Sequence, residues 1–301
     1  MAAELEAIGI VKRYGSLVAN DHVSLRIERG ETHAVMGENG AGKSTLMSIL
    51  YGMQAPDEGR ILLCGEEVRF RSPLDAIANG VSMVHQAFKL LNSLTVWENV
   101  VFGREPQRGG FLDRTAAVAR VGALAERYRL RVDPDAIVGR LSVGVRQRVE
   151  ILKALYRDAR ILILDEPTAV LTPQERDGLF TVIRNLTETA RTVIFVTHKL
   201  HETMAIADTV TVLRGGRVAA SMAVRETTPT EIIRAMTGRA VNLKVKKDCA
   251  KPGAAVLNVD GLTVRGSGRP AIDCVSFAVR AGEIVGIAGV AGNGQTELIE
   301  A

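Results

Sequence analysis

Strand-like and helix-like runs alternate over residues 1–239. Thr32 to Met36 predicts a strand that runs into a glycine-rich stretch, and Ser44 to Tyr51 predicts the helix leaving it. Ser72-Pro73 places a capping residue before a proline suited to a first helical position. Val81 to Val84 is a short apolar run, and Thr115 to Leu130 is rich in Ala and Arg and helical in pattern. Ile161 to Leu164 and Thr192 to Val196 are apolar throughout, as strands buried on both faces of a parallel sheet are. Thr172-Pro-Gln-Glu175 reads as a capping box opening another helix, and Val210 to Leu213 with Val218 to Ala220 reads as a hairpin around Gly215-Gly216. The pattern predicts an α/β fold.

Displaced by 252 residues, the start of the chain lies over its end without a gap. Gly9 meets Gly261, Arg13 meets Arg265, Asp21 meets Asp273, and Val23-Ser24 meets Val275-Ser276. Gly30-Glu31 meets Gly282-Glu283, and Gly37, Gly40 and Gly42 meet Gly289, Gly292 and Gly294. Register of this kind predicts one complete domain (1–239), a polar, lysine-bearing linker (240–253) and the opening of a second, degenerate copy (254–301) that is cut short.

Composition changes this picture little. A formal charge of +4 on 301 residues gives no reason to expect nucleic acid. Cys64, Cys249 and Cys274 are too few and too scattered for a disulfide framework or a zinc site, which points to reduced thiols. Met1 to Glu6 shows no signal-peptide pattern, and no apolar run approaches the ~18 residues that span a bilayer.

Gly37-Glu38-Asn39-Gly40-Ala41-Gly42-Lys43-Ser44 fits the phosphate-loop pattern in full, between a strand and a helix. Glycines let successive amides turn inward as an anion nest, and the helix N-terminus adds its positive dipole end. Lys43 would reach the β- and γ-phosphates and the Ser44 hydroxyl would hold Mg²⁺; the plainer alternative is a glycine turn with an exposed lysine. Ile161-Leu-Ile-Leu-Asp165-Glu166 ends a buried strand in two carboxylates, at the sheet edge where ligands bind in such folds. Asp165 would orient Mg²⁺ and Glu166 would polarise the attacking water. No Asn-Lys dipeptide occurs, which removes the guanine-reading motif of GTPases.

Four further features fix a resemblance. Leu141-Ser142-Val143-Gly144-Val145-Arg146-Gln147-Arg148 precedes a helix ahead of Asp165-Glu166; Gln86 follows one strand, His198 follows another, and Tyr14 precedes the first repeated turn. In this order and spacing they resemble the ATPase subunits of ATP-binding cassette (ABC) transporters, over residues 4–239 and again from 254. The resemblance implies a P-loop NTPase core with a mainly parallel sheet, an antiparallel β subdomain and an inserted α-helical subdomain near 87–158. It gives Tyr14 a stacking role on adenine (the alternative is a core tyrosine), and Thr45 a place with the loop around the phosphates. Gln86 becomes a contact to Mg²⁺ and the membrane subunit, and His198 the switch on the γ-phosphate. Ser142 and Gly144 become the signature that closes over the nucleotide of the opposite domain. Phe88 and Trp97 are either a docking site for a permease helix or core of the helical subdomain.

Departures from the family pattern fall together. Val143 stands in place of glycine, Val145 in place of glutamine, Thr172 in place of aspartate, and Gln295 in place of the second loop's lysine. In the family's head-to-tail dimer Val143 would face the Gln295 loop, which implies one hydrolytic site at Lys43 and one weak or silent site. Met83-Val-His-Gln86 and the tandem arrangement resemble bacterial importers of simple sugars and nucleosides. The implied ligands are ATP and Mg²⁺. The implied partners are transmembrane permease subunits, a second cassette, and indirectly an extracytoplasmic solute-binding protein, with the protein on the cytoplasmic face of the membrane. A soluble tandem ABC protein of translation is the competing reading, opposed by the short linker and Gln295. A DNA-repair ATPase and a non-catalytic sensor fit less well, the first for want of zinc cysteines or a coiled-coil insertion, the second because Lys43, Asp165, Glu166 and His198 are intact.

Overall fold

A computed structural model of the protein describes residues 3–239, 251–266, 270–289 and 293–301. It divides into two units, Met1–Val241 and Asn242–Ala301. Linker residues 240–250 and loop residues 290–292 lie outside the described residues.

In the first unit β1 (Leu5–Tyr14) and β2 (Leu17–Ile27) form an antiparallel hairpin, then β3 (Thr32–Met36) enters the glycine-rich loop and α1 (Lys43–Leu50) leaves it. β4 (Glu58–Leu63) pairs with β1 and β5 (Glu66–Val68) with β4, giving a four-stranded antiparallel sheet in the order β2-β1-β4-β5. α2 (Pro73–Ala78) is capped by Ser72, whose side chain accepts from the Asp75 amide, with Pro73 in the first turn. β6 (Val81–Val84) follows.

Helices dominate the next stretch. α3 (Val96–Val101) opens on a Thr95–Glu98 capping box. A two-stranded hairpin, β7 (Gln107–Arg108) with β8 (Phe111–Leu112), separates it from α4 (Arg114–Arg127), and α5 (Val143–Tyr156) closes the layer. α4 stops short of the expected Leu130 because Arg129 takes a φ of +53°, which a right-handed helix cannot contain. Trp97 is buried among apolar residues of α3, α4 and α5, so it is core of this layer.

The remaining elements are β9 (Ile161–Asp165), α6 (Pro173–Glu188), β10 (Thr192–Thr197), α7 (Leu200–Ile206), β11 (Thr209–Arg214), β12 (Arg217–Ala223) and α8 (Pro229–Thr237). They complete a six-stranded sheet in the order β12-β11-β3-β10-β9-β6, parallel except for β12. Every residue of β3 and β10 is buried. Successive side chains on β9 and β10 serve opposite layers, as a strand period of two requires. Leu162, Leu164, Val193 and Phe195 pack against the helical side, while Ile161, Ile163, Ile194 and Val196 pack with α1 and the antiparallel sheet. Apolar material covers both faces. That is why these runs carry no polar alternation. Among the described residues no helix is long and apolar enough to cross a membrane.

The second unit holds an antiparallel pair, β13 (Ala255–Val264) and β14 (Ile272–Arg280), and a short helix, α9 (Gln295–Glu300). Its local geometry repeats that of β1, β2 and α1. The Gly9 amide donates to Ser24 Oγ at 3.0 Å, and the Gly261 amide donates to Ser276 Oγ at 2.8 Å. His22 and Cys274 both take φ of +51°, and Gly42 and Gly294 both cap their helices at φ of +95°.

Candidate active site

Register builds the site. Along the parallel sheet Met36 pairs with Thr197, Val196 with Asp165, and Leu164 with Val84. The chain therefore leaves four adjacent strands at one edge: the glycine loop after β3, His198 after β10, Glu166 after β9 and Gln86 after β6. With neighbouring strands ~4.8 Å apart, the loop, the histidine and the acids fall within a few side-chain lengths of each other.

The loop backbone is shaped for an anion. Gly40 takes φ of +80° and Gly42 φ of +95°, where a side chain is strained. A Cβ on Gly42 would also overlap the Ala19 carbonyl, and Asn20 Nδ2 donates to the Gly42 carbonyl at 3.1 Å. Lys43 is buried, and its Nζ donates to the carbonyls of Gly37 at 2.8 Å and Glu38 at 3.0 Å. The ammonium thus lies curled over the loop.

An open cleft of ≈ 630 Å³ runs along this loop. It is lined by Asn39 to Thr45, by Glu166, by the Gly215-Gly216 turn, and by Tyr14, Leu17 and Val18. Tyr14 is 45% exposed, which removes the core alternative for it, and its hydroxyl donates to Gln54. Its ring and the exposed Leu17 give the outer end of the cleft an apolar wall, beyond the polar loop.

Glu166 sits on a turn with φ of +45°, unusual for a residue with a side chain and costing of order 1–3 kcal/mol. Its amide donates to the Val196 carbonyl at 3.0 Å, and its Oε1 lies 3.1 Å from His198 Nδ1. The acid and the histidine are therefore in contact. Burial, and then the neighbouring Glu166, push the Asp165 carboxyl above its ordinary value, against the pull of Lys43. Burial draws the Lys43 ammonium below its ordinary value, against the pull of Glu166 and Asp165. A buried ammonium and two acids thus influence one another across this sheet edge.

Gln86, Ser142 and Gly144 lie outside the lining of this cleft. Gln86 is exposed one strand beyond Asp165, and Ser142 and Gly144 begin α5. There Ser142 Oγ donates to Glu175 Oε1 at 2.9 Å and the Gly144 amide donates to the same oxygen at 3.1 Å.

Residues 20–169 match the ABC transporter family model. The chain is 48% identical over 298 residues to the guanosine import ATP-binding protein NupO of Bacillus subtilis, covering 99% of this chain and 58% of that protein. The first unit is an ABC transporter ATPase domain. The ribose import ATP-binding protein RbsA 3 of Rubrobacter xylanophilus is 47% identical over 293 residues, 97% of this chain and 58% of that protein. The chain thus spans little more than half the length of these curated relatives. Among solved structures, cbiO1 from Clostridium perfringens, part of the ABC transporter complex cbiONQ, superposes with a TM-score of 0.67 at 27% identity, over 77% of this chain and 93% of that one.

Three contacts in this ABC domain were not visible to motif reading. Glu202, 1% exposed, accepts from Thr168 Oγ1 at 2.7 Å through both oxygens and from Thr197 Oγ1 at 3.2 Å, and pairs with Lys199 at 3.2 Å. Lys199 Nζ also donates to the Thr168 carbonyl at 3.1 Å. This buried knot ties the loop carrying Glu166 to the one carrying His198. Gln147, buried on α5, donates to the Pro167 carbonyl at 2.9 Å and ties the helical layer to the same loop. The third is the Glu175 contact to the start of α5. A Glu five residues past the end of β10, in the first turn of α7, with Thr168 and Thr197 after neighbouring apolar runs, was the available signal for the first.

The donor set suits a hard divalent cation. A hydroxyl (Ser44), a carboxylate (Asp165) and a side-chain carbonyl (Gln86) offer oxygen only. Among the described residues no group of three or more His, Cys, Asp or Glu could hold a metal unaided. Few protein ligands plus substrate phosphates is how Mg²⁺ is usually held.

Proposed function

We propose that this chain is the ATP-binding and ATP-hydrolysing part of an importer, seated on the cytoplasmic face of the membrane against permease subunits. What carries the reading is the shared sheet edge: the glycine loop that leads into Lys43, Glu166 and His198 follow three adjacent parallel strands, Lys43 and Glu166 line one cleft, and Glu166 touches His198. Lys43 would exchange its two carbonyl partners for β- and γ-phosphate oxygens. The amides of residues 39 to 45 would hold the remaining phosphate charge, and Tyr14 with Leu17 would flank the base. Ser44, Asp165 and Gln86 would hold Mg²⁺, which when bound neutralises charge on the β- and γ-phosphates. Glu166 would orient and deprotonate the attacking water, and His198, held by Glu166, would face the γ-phosphate.

The transported solute belongs to the nucleosides or simple sugars. Two of the relatives, NupO and the Lactococcus lactis protein NupA, carry guanosine or nucleoside import in their names, and others carry ribose or glucose import. The identities do not separate the two classes, at 48% and 46% for the nucleoside proteins against 47% and 46% for ribose and glucose ones; Met83-Val-His-Gln86 leans toward nucleosides. We read residues 254–301 as the start of a second cassette, supported by the recurring turns and glycine caps. In the family's head-to-tail closure Ser142 and Gly144 would face the phosphate loop of an opposing cassette, and the Lys43 loop that cassette's signature. Gln295 lacks the ammonium that phosphates need, so hydrolysis belongs at Lys43. An extracytoplasmic solute-binding protein would deliver the solute to the permease.

The decisive experiment uses the full-length protein assembled with its permease, with and without Lys43→Met. ATP turnover is expected to fall about 10²–10³-fold, the cost of losing one charged donor to the transition state. Uptake measured across a panel of nucleosides and sugars should fall with it and name the solute. Turnover close to wild type in the variant would sink the assignment.

A further inference from the structure

Ser142 occupies the N-cap of α5, yet its side chain accepts nothing from the helix. It donates instead to Glu175, and the same Oε1 takes the Gly144 amide at 3.1 Å. The capping group of α5 is therefore a carboxylate carried by α6. The other oxygen of that carboxylate, Oε2, accepts from the Thr172 amide and from Thr172 Oγ1, both at 3.2 Å. One side chain closes the first turns of two helices and has four donors around it. Burial opposes ionisation, but the hydrogen bonds from Thr172, Ser142 and Gly144 outweigh it and hold the Glu175 carboxyl below its ordinary value. The group is an anion. Glycine at 144 is what admits it: a Cβ there would lie 2.8 Å from the Glu175 carboxyl carbon.

Two of the donors that Glu175 holds, Ser142 and Gly144, are those which the proposed function turns toward a nucleotide on an opposing loop. We infer that Glu175 is a resident anion at the signature, standing in for a γ-phosphate, so that the half-site of Ser142 and Gly144 selects against triphosphate. This inference rests on the proposed function. Two anions cannot share one hydroxyl and one amide at a helix N-terminus without strong repulsion. A triphosphate must displace a carboxylate with four hydrogen bonds, whereas a diphosphate, one phosphate shorter, leaves it in place. The same half-site carries Val143 where the family pattern has glycine. The two features then have a common sense: this half-site closes without needing a γ-phosphate.

Glu175→Gln tests this, because it keeps an acceptor oxygen for Ser142 and removes the charge. In the full-length protein with its permease, hydrogen exchange of the amides in the first turn of α5 is followed while adenylyl imidodiphosphate or ADP is titrated. In the wild type the triphosphate analogue is expected to protect those amides only at concentrations at least about threefold above those at which ADP does. In Glu175→Gln the triphosphate analogue should act at a concentration about tenfold lower, the scale of a charge-assisted hydrogen bond, while the ADP midpoint stays put. Glu175→Ala, read the same way, serves if the first variant unfolds. An unchanged ratio of the two midpoints overturns the inference, and so does an equal shift of both, which is the signature of a purely structural cap. Saturable nucleotide binding at the Lys43 loop with an unchanged ratio rejects this inference alone; absence of nucleotide binding in the wild type rejects the proposed function with it.

Discussion

The two units hold the same local code and come to different ends. Glycine turns, the Gly–Ser hydrogen bond across each hairpin, and the left-handed glycine ahead of each helix match in the first unit and the second. The strands that follow do not. β3 is buried along its whole length between β10 and β11. The corresponding residues 284–288 form no strand among the described residues, and Ile284 is 81% exposed and Ile287 53%. Turns and caps are local agreements between a few residues, so they form wherever those residues occur. A central parallel strand is an agreement with neighbours far along the chain: β3 is held by β10 and β11, about 160 to 180 residues later.

That contrast can be attacked at its strongest point first. If the chemistry of the first unit depends on partner strands and not on its loop alone, loosening the knot between β9 and β10 should disable it with the loop intact. Glu202→Gln turns an acceptor shared by Thr168, Thr197 and Lys199 into a group with a misplaced amide, and is expected to lower kcat for ATP about 10–100-fold, with KM within about threefold. Thr168→Val should do likewise and Thr168→Ser should recover most of the loss. A rise in KM alone would mean the loop and the knot are independent. Next comes a matched pair of truncations. Val35→Ala on β3 should cost about 2 kcal/mol in denaturant unfolding of the first unit, and Ile287→Ala, its counterpart, under about 0.5 kcal/mol in this chain. Equal costs would break the comparison.

A smaller stability effect than that of Val35→Ala is expected at Asp165. Its folded-state carboxyl is raised, so it holds its proton more tightly folded than unfolded. The favourable contribution is complete below the ordinary value of 3.8 and is lost as pH rises through the raised value. At pH 7 the ionised acid therefore costs stability. Asp165→Asn should raise the unfolding midpoint by roughly 2–4 °C at pH 7 while impairing hydrolysis, and the gain should vanish below about pH 4.

Much of the site could be read from the chain because it is local. The phosphate loop, the acid pair at the end of β9 and the capping box at Thr172 each lie within a few consecutive residues, and the apolar strands declared themselves by having no polar alternation. What escaped depends on distance along the chain. Thr168 meets Glu202 and Ser142 meets Glu175 only after the sheet and the two helices are assembled. The β7–β8 hairpin is too short for any periodicity, and the pairing of β1 with β4 crosses the whole glycine loop and α1. Tyr14 sat between two readings until its exposure decided against the core.

Gln147 carries a consequence of another kind. Its amide grips the Pro167 carbonyl from inside the helical layer, one residue beyond the strained turn at Glu166. A tilt of α5, from whatever lies against that layer, cannot leave the acid's backbone undisturbed. The helix is a lever whose short arm ends on the turn that carries Glu166, so movement arriving from one side of the protein is converted there into a change in where that carboxylate points.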